Sequence, residues 1–408
     1  MRGFNCLTIL AFLAAVPAKA ATDIPGEKPG QHFQVTPADL PAPYATPAAG
    51  NGPKVIPRPP GAVPEAPAGF TVSVFADGLD DPRWMAVAPN GDVMLAEPSA
   101  GKVTLLRDSN GGGKADRRFV FAQGFQRPHG LAFHDGALYI ADTEAVWRVP
   151  YKDGATQAGM RARVSEQSFG GDSDHWTRDI AFGPDGTLYL AIGSGANVET
   201  GEPATRASVQ TVNKDGSLAT FASGIRNPVG IAFYPGTDHL FVSVNERDGY
   251  GDRLVPDYFT EVRKGDFFGW PYAYIGRHPD PTYGKQHPDL VAKTRTPDLL
   301  FESHSAPLGL VFYEGNRFPA QYKGDAFVSL HGSWNRGTPT GYKVVVVPFQ
   351  DGKPRGGYDN FVTGFWQSGT GPAQVWGRPA GLAVAKDGSL LIADDAGKTV
   401  WRVAYTGK

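Results

Sequence analysis

Histidine and arginine recur in this chain just ahead of short apolar runs, and that placement is where its chemistry would lie. The segment GGDSDHWTRDIAF carries His175 and Arg178 immediately before such a run. An imidazole titrates near neutral pH and can act as a general base. An arginine three residues on can hold an anion or meet a developing negative charge. The alternative for His175 is a structural histidine satisfied by loop carbonyls. ASGIRNPVGIAF places Arg226 and Asn227 in the same way. The Arg fork suits carboxylates, and Asn both donates and accepts. WGRPAGLAV adds Arg378, QRPHGLAF adds Gln126, Arg127 and His129, and DDPRWMAV adds Arg83 and Trp84. One such arginine is ordinarily a solvated surface residue. Five at one position of a repeat predict a converging cationic mouth that suits a planar, polyanionic ligand.

Two loops add to this. VNERDGYGDRLVPDY carries Asn245, Glu246, Asp248, Asp252 and Asp257. Closely spaced oxygen ligands on a glycine-containing loop suit Ca²⁺, and the alternative is a solvated acidic loop. SLHGSWNRGTPTGYKVVVVPF puts His331, Trp334, Asn335, Arg336 and Lys343 around one loop, where an indole could stack on a planar cofactor and the cations meet its carboxylates. Lys343 reads equally as an outward residue of a strand. The stretch Asp108–Asp116 resembles a calcium loop only loosely, lacking the closing Glu of an EF-hand. No glycine-rich nucleotide motif, Gly-x-Ser-x-Gly elbow or His-Glu-x-x-His pair occurs.

The elements that must position these groups are legible as a repeat. MAVAPNGDVMLAE from Met85 recurs as GLAFHDGALYIAD from Gly130 and DIAFGPDGTLYLAIG from Asp179. It returns as GIAFYPGTDHLFVSV from Gly230, GLVFYEGNRFPAQYKGDAFVSL from Gly309 and GLAVAKDGSLLIAD from Gly381. Each is a hairpin in outline, and the starts lie about 45 to 79 residues apart, near the one-blade period of propellers. One hairpin cannot bury both faces, but a ring can. The expected fold is all-β, a six-bladed β-propeller. The strands in GFTVSVFADGL and KTVWRVAY, from opposite ends of the chain, are expected to close the ring in one blade. Insertions are read at Tyr151–Asp174, Arg253–Leu300 and Ser333–Thr340.

Composition bounds the rest. Net charge is -2 with no basic block, which argues against nucleic acid as a partner. The 52 glycines and 35 prolines suit a turn-dense β protein. Residues 1–20 read as a secretory signal peptide, with Arg2 ahead of an apolar stretch too short to span a bilayer and Ala18-Lys19-Ala20 at the cleavage site. The expected location is periplasmic or secreted, with no transmembrane segment in the mature chain. The only cysteine, Cys6, lies in this segment, so no Cys-x-x-Cys-His haem attachment exists. Residues 21–68 read as a Pro-rich linker, and 69–408 as the propeller domain.

The segments HWTRDIAFGPDGTLYLAIGS, GIRNPVGIAF, GDFFGWPYAY, HGSWNR with GYKVVVVPF, and GRPAGLAVAKDGSLLIADD together resemble the glucose/sorbosone dehydrogenase family. These are soluble sugar dehydrogenases that use pyrroloquinoline quinone (PQQ), and the sorbosone dehydrogenase-like branch looks closer. The resemblance runs from about Gly69 to Tyr405 and implies a six-bladed propeller. It implies that His175 takes the substrate hydroxyl proton while hydride passes to the quinone. It places Arg226 and Asn227 on the quinone, Arg226 polarising it, and Arg378 on the PQQ carboxylates. It implies a calcium ion on PQQ, held by the carbonyls of Glu246 and Arg247 with Asp252 as a side-chain ligand, acting as a Lewis acid. The chain departs from the family in reading His331 at the family lysine, with Arg336 and Lys343 as alternatives for the charge. It has Ala380 near the second clamp arginine, and Gln126 for the family glutamine. The implied activity is PQQ- and calcium-dependent oxidation of an aldose or aldehyde-sugar to a lactone or acid. Electrons would pass to a separate cytochrome or quinone. The rival expectations are a calcium-dependent lactonase and a non-catalytic, carbohydrate-binding propeller.

Overall fold

The computed structural model describes residues 27–171 and 174–407, so the leader read at 1–20 lies outside the described residues. The described chain is almost entirely β, with a single short α-helix at Pro288–Lys293. No helix among the described residues is long and apolar enough to cross a membrane.

Six antiparallel sheets dominate, and each starts on one repeat. Their first strands are β1 (Trp84–Val87), β2 (Leu131–His134), β3 (Ile180–Phe182), β4 (Asn227–Phe233), β5 (Pro307–Phe312) and β6 (Pro379–Val384). β1 packs on β2, β2 on β3, and so on to β6, which returns to β1. The six first strands therefore form a closed circuit. The last sheet contains Phe70–Ala76 paired antiparallel with Thr399–Tyr405, the junction of chain ends expected from the sequence.

The glycine that opens most repeats has a packing cause. A Cβ on Gly130, Gly230, Gly309 or Gly381 would fall under 3.0 Å from a backbone oxygen of the next sheet, that of Arg178, Leu308, Ala380 or Arg83 respectively. The Gly130 amide donates directly to the Arg178 carbonyl at 2.8 Å. Buried polar side chains add bridges between sheets. Asp179 accepts from the Ile231 amide at 2.9 Å, and Ser243 donates to the Leu308 carbonyl at 2.7 Å.

The Pro-rich segment is extended, as read, but it is not a tether. His32–Phe33 adds an edge strand to Tyr358–Val362, Lys54–Val55 pairs parallel with Gln374–Val375, and Glu65 bridges Thr363. Prolines suit such edge positions because they withhold an N–H that the edge does not need, and the segment covers strand edges that would otherwise be bare.

Gly309→Ala is expected to lower unfolding stability by about 1–3 kcal/mol through overpacking against Ala380. Gly50→Ala, at a position with nothing within 4 Å of the added carbon, is the matched control. Chemical denaturation of the two variants checks this, with the control expected within ~0.5 kcal/mol of the parent.

Candidate functional site

Antiparallel pairing sets the start of each first strand beside the end of the second, as in Asn227 opposite Asn245, Pro307 opposite Leu330 and Pro379 opposite Asp394. Lead-ins and second-strand exits from different sheets therefore share one end of the ring. A cavity of about 380 Å³ opens there, lined among others by His175, Asn197, Arg226, Asn227, Asn245, Glu246, Asp248, Asp257, His304 and Trp334.

His175 is held from behind. Its Nδ1 lies 2.8 Å from the Ser194 carbonyl oxygen. A carbonyl only accepts, so Nδ1 carries the proton and Nε2 keeps its lone pair. Burial, then the nearby Arg226 guanidinium, pushes this imidazole down to about 3, so it is neutral at pH 7. Its backbone is fixed by two buried arginines. Arg178 donates to the carbonyls of His175, Thr177 and Gly171 at 2.7–2.8 Å. Arg206 donates to the carbonyls of Gly170, Gly171, Gly193 and Ser194 at 2.8–3.0 Å. Gly193 lets His175 and Asn227 approach each other, because a Cβ there would strike both side chains.

Arg226 is 4% exposed. It donates to the carbonyls of Asn197 (3.0 Å) and Glu246 (2.8 Å) and to Asn197 Oδ1 (2.9 Å). Beside it, the Asn227 Oδ1 is buried against Gly193 without a hydrogen-bond partner, on a residue that lines the cavity. Asp248 lies 3.4 Å from Arg226 and 3.3 Å from His304 Nδ1, and it accepts from the Asn335 amide. Burial opposes the Asp248 charge, but His304 and Arg226 prevail and hold its carboxyl below the usual range. Burial also works against a charged His304, yet its bonds to Asp248 and to the Gly251 carbonyl raise it. Asp257 is pushed up to about 7 by burial.

A second cluster comes from the remaining sheets. Arg83 pairs with Asp395, and Asp395 lies 2.8 Å from His331 Nε2. Arg378 donates to the carbonyls of His331 (3.1 Å) and Gly332 (3.0 Å). Burial and then Arg378 push His331 down to about 4. Arg127 lies 4.0 Å over the ring of Trp176 and Arg83 lies 5.7 Å from it. His331 and Arg378, assigned separately in the sequence, are thus adjacent.

Other expected site residues lie elsewhere. Arg178 is fully buried, with its guanidinium on backbone carbonyls rather than at a ligand. Lys343 is also buried, 3.3 Å from Glu27 and over the Phe33 ring, because the Pro-rich segment packs across its strand. Arg336 faces Glu302 at 3.4 Å and the Ser303 carbonyl. Gln126 is exposed and outside the cavity lining. Two of the three residues expected at calcium have side-chain or carbonyl partners within the protein, and the Arg247 side chain points away from the cavity. The Glu246 carbonyl accepts from Arg226, Arg247 is buried between Glu246 (3.0 Å) and Asp280 (2.8 Å), and both Asp252 oxygens accept from the Gly337 amide. Among the described residues no three His, Cys, Asp or Glu side chains form a metal-binding group.

Sequence reasoning missed His304, Arg206, Asn197 and Asp395. His304 precedes the fifth repeat in FESHSAPLGLVF, so the lead-in rule that singled out His175 would have found it. Arg206 and Asn197 sit in a loop without periodicity and carried no signal.

Comparison with known proteins places this geometry. The family model described as a domain of unknown function (DUF7133) matches residues 84–331, and a TrAA12-like model matches 281–406. An uncharacterized protein of Borreliella burgdorferi is 28% identical over 360 residues, covering 84% of this chain and 90% of its own. A PQQ-dependent pyranose dehydrogenase of Coprinopsis cinerea is 26% identical over 336 residues, and the match covers 69% of this chain but only 44% of that protein. The holo PQQ domain of the Coprinopsis pyranose dehydrogenase superposes with a TM-score of 0.73 at 22% identity, covering 86% of this chain and 99% of the domain. The PQQ-bound aldose sugar dehydrogenase of Streptomyces coelicolor gives 0.57 at 18% identity, covering 83% and 99%. The structural neighbours are thus PQQ-dependent sugar dehydrogenases, and the pyranose dehydrogenase domain fits better than the aldose enzyme.

An imidazole with a folded pKa of about 3, below its ordinary 6.5, binds more protons unfolded than folded between those values. Stability therefore falls as pH drops through that window. His175→Gln is expected to make this acid-side loss shallower than in the parent, measured by urea unfolding at several pH values.

Proposed function

Because the chain belongs to the family described as a domain of unknown function (DUF7133), a description that assigns no chemistry, we propose its function from the site itself. The proposed reaction is PQQ-dependent oxidation of a hydroxyl group on a sugar, carried out on a six-bladed β-propeller formed by the ring of six sheets. The observation that carries this is His175, locked through Nδ1 onto Ser194 so that a neutral Nε2 remains beside Arg226 and the unpartnered Asn227 Oδ1. Export to the periplasm or medium rests on the signal read at residues 2–20.

The residues present fit a planar tricarboxylate. Arg83 and Arg127 meet over Trp176, Arg83 and Arg378 meet at His331, and these strand lead-ins lie at the same end of the ring as that of Arg226. When bound, PQQ supplies a two-electron acceptor, which no side chain of this protein provides. Arg83, Arg127 and Arg378 offset its carboxylates. Asn227 Oδ1 accepts a hydrogen bond that the chain itself does not satisfy. His175 Nε2 takes the proton of the substrate hydroxyl. The imidazole is a weak base in the bare site, and carboxylates brought into the cavity raise its affinity for a proton. Arg226 stabilises negative charge that develops as the proton leaves. The proposed electron acceptor is a separate cytochrome or quinone. No step is assigned to calcium, because the Arg226 guanidinium bonded to the Glu246 carbonyl sets a positive charge where that ion would sit.

Purified protein mixed with PQQ and assayed for dye reduction across D-glucose, other aldoses and sorbosone is expected to show turnover. His175→Ala is expected to retain PQQ while losing about 10²–10⁴-fold in kcat. PQQ affinity in EDTA is expected to stay within about threefold of that with added Ca²⁺, since a favourable metal contact would change it by more. Absence of both PQQ binding and dye reduction would overturn the dehydrogenase reading in favour of a binding module.

A further inference from the structure

Trp334 stands out on the rim of the cavity. Its side chain is 56% exposed, yet its neighbours Ser333 and Asn335 are 0% and 8% exposed. Ser333 Oγ accepts from the Thr340 amide at 3.0 Å, Tyr342 donates to the Ser333 carbonyl, and Asn335 is tied to Asp248. An indole kept in water between two anchored residues is held there by its loop rather than by its own burial.

The remaining anchor comes from the Pro-rich segment. The Asn51 amide donates to the Trp334 carbonyl at 2.8 Å. Asn51 Nδ2 lies within hydrogen-bond distance of the carbonyls of Arg336 (3.1 Å), Gly337 (3.0 Å) and Thr370 (2.9 Å), three acceptors around two hydrogens. A few residues earlier, the Tyr44 amide donates to the Tyr250 carbonyl at 2.7 Å, and Thr46 Oγ accepts from the Asp252 amide at 2.9 Å. Asp252 in turn accepts from the Gly337 amide. The segment thus joins the two loops that carry Asp248 and Trp334 into the cavity wall.

Given the sugar oxidation proposed above, on which this inference rests, we infer that Trp334 is the platform for the sugar and that Asn51 is its positioning residue. The C–H face of a pyranose is apolar enough to lie on an indole, while its hydroxyls reach the polar wall formed by His175, Asn227 and Asp248. Asn51 touches neither cofactor nor sugar; it acts through the carbonyls of 334, 336 and 337. The segment from Tyr44 to Asn51 is therefore part of the substrate site.

Full-length protein loaded with PQQ tests this with Asn51→Ala, Asn51→Asp, Trp334→Ala and the double variant Asn51→Ala/Trp334→Ala. Asn51→Ala and Trp334→Ala are each expected to raise KM, and the dissociation constant of D-glucose measured by calorimetry, about tenfold with kcat unchanged. The double variant is expected to be no worse than Trp334→Ala alone. Asn51→Asp keeps the shape but loses the donors and is expected to behave like Asn51→Ala. Amide exchange at residues 333–337 is expected to quicken in both Asn51 variants, and PQQ affinity to stay unchanged. Additive effects, a fall in kcat, weakened PQQ binding or unchanged exchange overturn the inference. So does a wild-type protein that binds D-glucose no better than Trp334→Ala does. A wild type that binds D-glucose through Trp334 yet oxidises no sugar would overturn the proposed dehydrogenase while leaving the platform standing.

Discussion

The structure depends on one close approach, the meeting of adjacent first strands through backbone rather than side chains. At Gly130, Gly230, Gly309 and Gly381 the neighbouring sheet's carbonyl occupies the space a Cβ would fill. Side chains at these points would push the sheets apart, and a ring of six cannot absorb a gap at one junction without opening another. Tight junctions bring the strand lead-ins within reach of one another. That is why His175, Arg226, Arg83 and Arg378, up to 295 residues apart between Arg83 and Arg378, sit at one end of the ring.

Charge is used in two ways at that end. Arg178, Arg206 and Arg247 are buried and spend their donors on carbonyls or on Glu246 and Asp280. A buried guanidinium without such partners would be costly, so these act as clamps on irregular backbone. Arg206 in particular fixes the turn from which His175 projects. Arg83 and Arg127 stand nearer the surface, Arg83 paired with Asp395 and both against Trp176, while Arg378 also bonds the His331 and Gly332 carbonyls. Residue type alone does not separate the two groups.

The Pro-rich segment changes role for a physical reason. Low apolar content and twelve prolines between Pro25 and Pro67 make it unable to form a core of its own. It still carries backbone donors and acceptors, and the outer strand at Tyr358–Val362 and the loops at 250–252 and 334–337 have matching groups to satisfy. Its order comes from the surface it lies on.

The all-β class, the six repeats and the pairing of the two terminal strands were legible in the sequence, which also marked the lead-in positions as candidates for function. These follow from local facts: period-2 apolar runs, turn residues, and glycine at a recurring offset. Within the candidate site, His175, Arg226, Asn227 and Arg378 were legible because they occupy that offset, and His331 because of the loop that follows the fifth repeat's second strand. Which cations are tied to backbone carbonyls was settled only in three dimensions, because that depends on carbonyls supplied by distant loops. The tertiary structure set Lys343 against Glu27 and the Arg247 side chain against Asp280. It also added His304, Arg206, Asn197 and Asn51, whose roles arise from contacts that no periodicity encodes.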